Sequence, residues 1–191
     1  MEALLRLPRR ASYADYLAAE QDSDRRHEFI GGVIVAMAGG QPRGAAPKPA
    51  DGKLPVLHVR PAVLDRITRT GRYADGSIIC GAPDHPAHDD RATTNPTVVI
   101  EVLSPSREGD DAGDKRSDFQ SLASVEAYVL VAQDQRRVKV YRRVDGEWRA
   151  VTYRDGDSFE LPTLTTSIPV ADVYDGILDG AGRSLLRDSS T

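Results

Sequence analysis

The chain has 191 residues, of which 40% are hydrophobic and 28% are charged, a composition typical of one globular domain and not of a disordered or fibrous protein. Its 25 Lys and Arg residues against 29 Asp and Glu residues give a net charge of −4, so any nucleic-acid-binding surface must be local. It has no long apolar run, no leader-like N-terminus and a single cysteine, Cys80. These features lead us to expect a cytoplasmic protein without a membrane span.

The N-terminal third contains one predicted helix, one predicted hairpin and one unusual segment. Ser12 and Asp15 have the spacing of a capping box, which predicts a helix running to about Glu20. The apolar run 27–37 is bent at a glycine pair and predicts the first strand or hairpin. Residues 41–61 are rich in proline, so we expect 41–55 to be irregular and 56–67 to hold a short strand or helix.

The remainder of the chain alternates strand and helix patterns. The continuous β-branched run Val98–Leu103 is typical of a central strand buried on both faces. The other predicted elements are a short strand at 77–80, a polar loop at 82–95, a helix at 114–122, and strands at 127–132, 137–144 and 148–153. This order indicates an α/β or α+β domain around a mixed sheet over residues 1–180, with a frayed tail at 181–191.

Two carboxylates stand out on these strands. Glu101 interrupts an apolar strand, where a buried charge needs a cation or several hydrogen-bond donors, unless this Glu faces an exposed edge. Asp75 directly precedes the strand at 77–80, where it is either a turn former or a neighbour of Glu101 across the sheet.

Two further residues extend this set. Lys115 on the predicted helix could offset charge on a phosphate, although an isolated lysine is most often a solvated helix residue. Glu28 precedes the glycine bend and makes a third carboxylate. Oxygen ligands of this kind favour Mg²⁺, or Mn²⁺, over zinc. No motif for a nucleotide or another organic cofactor is found.

A row of basic residues lies on the strand at 137–144. Strand alternation puts Arg137, Lys139 and Arg143 on one face, with Val138 and Val140 on the other. The row could contact nucleic-acid phosphates, or it could protect an edge strand from pairing with another chain.

Four segments together resemble the Uma-two family of bacterial restriction endonucleases, within the PD-(D/E)XK nuclease superfamily. They are RHEFIGGVIVAMAGG (26–40), YADGSIICG (73–81), NPTVVIEVLSPS (95–106), and Asp114-Lys115 followed by YVLV (128–131). The resemblance implies a restriction-endonuclease-like mixed sheet flanked by helices and metal-dependent hydrolysis of phosphodiester bonds. It assigns catalytic positions to Glu28, Asp75, Glu101 and Lys115, with the first three as candidate Mg²⁺ ligands. DNA is the implied substrate, and a homodimer is a further expectation.

The chain departs from the family pattern in three places. The superfamily often has its lysine two residues after the strand glutamate, where this chain has Leu103, so Lys115 would be a migrated replacement. Ala74 stands where the family usually has proline. The proline-rich stretch 41–61 stands where the family has an amphipathic helix and a strand. Residues 64–67 resemble that strand only loosely. This suggests a deletion or a shifted reading frame that damages the core.

Two other functions compete with a nuclease. A non-catalytic remnant of the fold could bind nucleic acid or protein, and the stretch 41–61 favours that alternative. Asp75 and Glu101 could instead be the acid and base of a glycosidase. Chelation of divalent metal distinguishes these enzymes, because it should abolish only the nuclease activity.

Overall fold

A computed structural model describes residues 10–37, 56–59, 62–65, 70–87, 89–103, 111–162, 164 and 166–175. The predictions for 41–55 and for the tail at 181–191 lie outside these ranges. Within them, three helices and thirteen strands follow one another along the chain. Their bounds are α1 Tyr13–Asp22, β1 His27–Ile30, β2 Val33–Ala36, β3 Val56–Val59, β4 Ala62–Asp65, β5 Thr70–Tyr73, β6 Gly76–Ile79, β7 Ala92–Thr93, β8 Val98–Leu103, α2 Asp111–Ser121, β9 Ala127–Ala132, β10 Arg137–Val144, β11 Glu147–Arg154, β12 Ser158–Glu160, β13 Ser167–Pro169 and α3 Val170–Val173.

The N-terminal helix and hairpin form as predicted. The side chain of Ser12 accepts a hydrogen bond from the backbone N–H of Asp15, and the Asp15 carboxylate accepts one from the N–H of Ser12, which completes the capping box of α1. β1 and β2 pair as a hairpin that turns at Gly31 and Gly32, with φ values of +54° and +88° that glycine adopts without strain. α1 packs on this hairpin, because the ring of Tyr16 stacks on that of Phe29 at 5.6 Å.

The first sheet has five strands in the order β2-β1-β5-β4-β7. β3 and β4 occupy the segment 56–67, so the strand alternative for that segment is correct. β4 pairs with β5 over four residues, whereas β3 pairs with β6 in the other sheet. Residues 62–65 thus form a strand integrated in this sheet, and they overlap the segment 64–67 that was expected to resemble the family's strand only loosely.

The second sheet has six strands in the order β11-β10-β9-β8-β6-β3. It is mixed, because β8 and β9 are parallel and the other neighbouring pairs are antiparallel. β10 has partners on both sides, so the alternative that its basic row protects an edge strand is wrong. A mixed α/β architecture is confirmed, although it comprises two main sheets rather than one.

Both faces of the six-stranded sheet carry a hydrophobic core. One face packs under β12, β13 and α3, three short elements that the sequence patterns did not predict. The other face packs under α2, where Val99 of β8 and Tyr128 of β9 meet Phe119 and Leu122. Alternation along β8 therefore points Val99, and with it Glu101, towards α2.

The chain crosses from the five-stranded to the six-stranded sheet at residues 74–75, between β5 and β6. Ala74 is 1% exposed and packs in the core under α2 at this crossing. The crossing places Asp75 at the junction of the two sheets. None of the helices within the described ranges is long and apolar enough to span a membrane.

Candidate active site

Asp75 directly precedes β6 at the junction of the sheets, and Glu101 lies on the neighbouring strand β8. β6 and β8 are antiparallel with Gly76 opposite Ile100, and the same register continued by one residue places Asp75 opposite Glu101. The Asp75 carboxylate accepts a hydrogen bond of 2.9 Å from the backbone N–H of Val102, which fixes it beside β8. The structure therefore brings together the two acidic residues that the sequence singled out.

Glu101 is buried in an environment that disfavours its charge. The residue is 6% exposed, and burial, together with the neighbouring charges of Asp75 and Glu28, raises its pKa to about 7 although the Lys115 ammonium opposes the shift. The alternative of an exposed, edge-facing glutamate is therefore wrong. A carboxylate that titrates near neutrality responds strongly to an added cation.

Lys115 supplies the cation that Glu101 needs. Its Nζ donates a hydrogen bond of 2.9 Å to Oε2 of Glu101 and lies 2.8 Å from Oε1. Leu103 lies two residues further along β8, on the same side of the strand, and packs against the core under α2. The ammonium that contacts Glu101 thus comes from Lys115 on α2 and not from the position of Leu103 on β8.

Glu28 is held by hydrogen bonds at both oxygens. Its Oε2 accepts a bond of 3.0 Å from Arg72, its Oε1 accepts one of 3.3 Å from the N–H of Tyr73, and the same Oε1 is 4.0 Å from Nζ of Lys115. Glu28 therefore belongs to the cluster, but its oxygens already have donors. This contact pattern suits an outer position better than a direct metal ligand.

Arg72 and Asp118 also belong to this cluster, although neither was predicted from the sequence. The guanidinium of Arg72 bridges Glu28 of β1 and Asp118 of α2, with distances of 2.8 Å and 2.7 Å from its Nε and NH2 to Asp118 Oδ2. Burial lowers the pKa of Arg72, but hydrogen bonding to Asp118 and the charge of Glu28 outweigh it, so the pKa is raised overall. A spacing of three residues between Lys115 and Asp118, which puts both on one helix face, was the available signal.

The donor set and the charge balance fit a divalent cation. Four carboxylates (Glu28, Asp75, Glu101 and Asp118) face two cations (Lys115 and Arg72), which leaves two negative charges in excess when all are ionised. Oε1 of Glu101 is buried and accepts no well-directed hydrogen bond from any described residue, although the Lys115 ammonium is near it. Carboxylate oxygens are the ligands that Mg²⁺ prefers in proteins.

A full protein cage for a metal is not found among the described residues, where no three His, Cys, Asp or Glu side chains are grouped closely enough to hold an ion. Mg²⁺ typically uses one or two carboxylates and keeps several waters, so it does not require such a cage. Zn²⁺, which requires three or four side-chain ligands, does not fit this arrangement.

The three basic residues predicted on β10 have different surroundings. Val138 and Val140 are buried in the core on one face, as the alternation predicts, and the basic side chains lie on the opposite face. Arg143 donates hydrogen bonds of 2.8 Å and 2.9 Å to the carbonyls of Gln120 and Leu122, at the C-terminal end of α2. Arg143 thus satisfies helix carbonyls, which is a structural role.

A protein-family model matches most of the chain. Residues 13–171 match the family model Uma2, described as "Putative restriction endonuclease". All four clustered positions, from Glu28 to Lys115, lie inside the matched range.

Individual proteins with similar sequence or structure have been found as well. Two uncharacterized proteins of Synechocystis sp., slr1290 and sll1609, are 28% and 27% identical over 85% and 78% of this chain, and over 90% and 89% of their own lengths. A crystal structure titled as "a putative nuclease belonging to DUF820" from Anabaena variabilis superposes with a TM-score of 0.56 at 13% identity, over 79% of this chain and 90% of that one. This structural likeness confirms the nuclease-like fold.

Proposed function

The chain belongs to the Uma2 family, and from that membership together with its carboxylate cluster we propose that it is a magnesium-dependent endonuclease that hydrolyses phosphodiester bonds in DNA. The observation that carries this proposal is the position of Glu101. It is a buried carboxylate beside Asp75, its charge is disfavoured, and it forms an ion pair with Lys115.

Asp75 and Glu101 would hold the ion, with a backbone carbonyl near Val102 as a further oxygen ligand. Mn²⁺ has similar ligand preferences and should substitute for Mg²⁺. When bound, such an ion activates water and stabilises negative charge on the scissile phosphate. Ion binding should also favour the ionised form of Glu101, because a nearby positive charge lowers the pKa of a carboxyl group.

Lys115 would act on the reacting atoms directly. Its ammonium contacts Glu101, and from that position it can orient the attacking water or offset the charge that develops on the phosphate. Glu28 would not bind the ion directly, because its oxygens already accept hydrogen bonds from Arg72 and the Tyr73 N–H. Through its Oε1, 4.0 Å from Nζ, it would help to place the lysine.

The test is cleavage of supercoiled plasmid and of mixed linear duplexes by the full chain with Mg²⁺, with Mn²⁺ and with EDTA. We expect cleavage with either ion and none with EDTA, and we expect RNA of matched sequence to be cut more slowly. A protein that binds DNA in every buffer but never cuts it would be the non-catalytic remnant. Hydrolysis of a glycoside that persists in EDTA would favour the glycosidase alternative.

A further inference from the structure

Strand register places Lys139 in one row with Glu101 across the six-stranded sheet. Glu101 of β8 is opposite Leu130 of β9, Leu130 is opposite Lys139 of β10, and Lys139 is opposite Thr152 of β11. Residues directly opposite one another point to the same face of a sheet. Because neighbouring strands are about 4.8 Å apart, the Cα of Lys139 lies about 10 Å from that of Glu101, on the same face.

The charge on this face of β10 and β11 has a single sign. Arg137 is opposite Arg154 at the next pair on this face, so both arginines lie beside Lys139, towards the start of β10. The eight side chains that the paired strands place on this face include four basic residues and no carboxylate. Although the whole chain is acidic, this face of β10 and β11 is therefore locally basic.

Helix α2 leaves part of this face uncovered. Arg116 of α2 donates a hydrogen bond of 2.7 Å to the hydroxyl of Tyr141, and Arg143 is bonded to the end of the same helix. On the part of this face away from Tyr141 and Arg143, Arg154 is exposed, and Arg137 and Lys139 are half-buried. The ammonium of Lys139 lies 5.0 Å from the centre of the Tyr141 ring, which supports its long side chain on the sheet surface.

We propose that Arg137, Lys139 and Arg154, here called the basic face, bind the phosphate backbone of a DNA duplex whose scissile phosphate lies at Glu101. This inference rests on the proposed function. Successive phosphates of one DNA strand advance 3.4 Å along the helix axis, so the two- to three-strand distance from Glu101 corresponds to about three to four nucleotides. Such contacts position the duplex without reading its sequence.

Binding can be measured separately from cleavage by fluorescence anisotropy of a labelled duplex in EDTA at several salt concentrations. The variants are Lys139→Ala and Arg154→Ala, and the matched control is Arg149→Ala. Arg149 is also an exposed arginine of β11, but it lies five residues from Arg154 and therefore on the opposite face of the sheet. Thermal melting checks that all three variants fold.

We expect the Kd for the duplex to rise several-fold in Lys139→Ala and in Arg154→Ala. In each variant the slope of log K against the logarithm of the salt concentration should decrease in magnitude by about one, whereas Arg149→Ala should bind as wild type does. Equal effects in all three variants, or no effect in the first two, would overturn the basic face as the DNA contact and leave the nuclease proposal intact. A wild-type chain that does not bind duplex would overturn it as well. Conversely, salt-sensitive binding through these residues without cleavage in Mg²⁺ would sustain the basic face and refute the nuclease.

Discussion

The ammonium of Lys115 lies 2.8 Å and 2.9 Å from the two carboxylate oxygens of Glu101, across the gap between helix α2 and strand β8. The contact provides the cation that a carboxylate in an apolar strand requires. It also leaves the charge only partly balanced, because Glu28 and Asp75 are close enough to raise the pKa of Glu101. Glu101 therefore has a cationic partner, but the site as a whole keeps an excess of negative charge.

Replacing Lys115 with alanine should separate metal binding from turnover. The change removes an amine and no metal ligand, so the rise of melting temperature on addition of Mg²⁺ should largely survive. Cleavage should fall by about 100-fold or more, because the charge on the reacting phosphate is no longer offset. The control is Arg149→Ala, which removes a cation from the opposite face of β11. Full turnover by Lys115→Ala would exclude a role for the lysine in the reaction.

The stability of the metal-free protein should depend on the titration of Glu101. Its pKa of about 7, against 4.5 for an ordinary glutamate, means that the folded state binds the proton more tightly than the unfolded state. The resulting stabilisation is fully present below pH 4.5 and is lost as the pH rises through 7, a change of about 3 kcal/mol.

The measurement is the free energy of unfolding by urea in EDTA between pH 4 and about 8, for wild type and Glu101→Gln. The neutral amide cannot titrate, so the stability of the variant relative to wild type should increase with pH over this interval. The neighbouring Lys115, Asp75 and Glu28 are unchanged in both proteins. Parallel curves would contradict the raised pKa.

Arg72 should be important for stability. Replacing it with methionine removes the partner of Glu28 and of Asp118 together, and should lower the free energy of unfolding by about 3 kcal/mol because two largely buried carboxylates lose their cation. Arg136→Met is the control, since its pair with Asp155 at 3.2 Å is exposed and should contribute less than about 1 kcal/mol. Equal losses in the two variants would mean that the Arg72 bridge is no stronger than a surface pair.

Elements with local signals were predictable from the sequence. The capping box of α1 depends on two residues three positions apart, and the turn between β1 and β2 depends on two adjacent glycines. β9 is apolar throughout and β8 is apolar except for Glu101, so both are recognisable without knowledge of their partners. In contrast, β12 and β13 have three residues each, too short for a periodic pattern, and only packing over the sheet defines them.

The candidate site was predictable only in part. An acidic residue within an apolar strand indicated that Glu101 needs a cation, but the identity of that cation as Lys115 came from the family resemblance. Spacing could not provide it, because the lysine lies on α2, 14 residues further along the chain than Glu101. Arg72 was missed for a similar reason, since its contacts with Glu28 and Asp118 depend on the pairing of β1 with β5 and on the docking of α2.

The most direct test of the account is DNA cleavage in Mg²⁺ by Glu101→Gln, assayed beside wild type and Glu147→Gln. The amide keeps the shape of the side chain and removes a charged ligand, whereas Glu147 is an exposed residue at the start of β11. We predict that Glu101→Gln folds, loses its Mg²⁺-dependent rise in melting temperature and does not cut DNA, while Glu147→Gln behaves as wild type. Cleavage by Glu101→Gln at the wild-type rate would contradict the account and would mean that the chemistry takes place elsewhere.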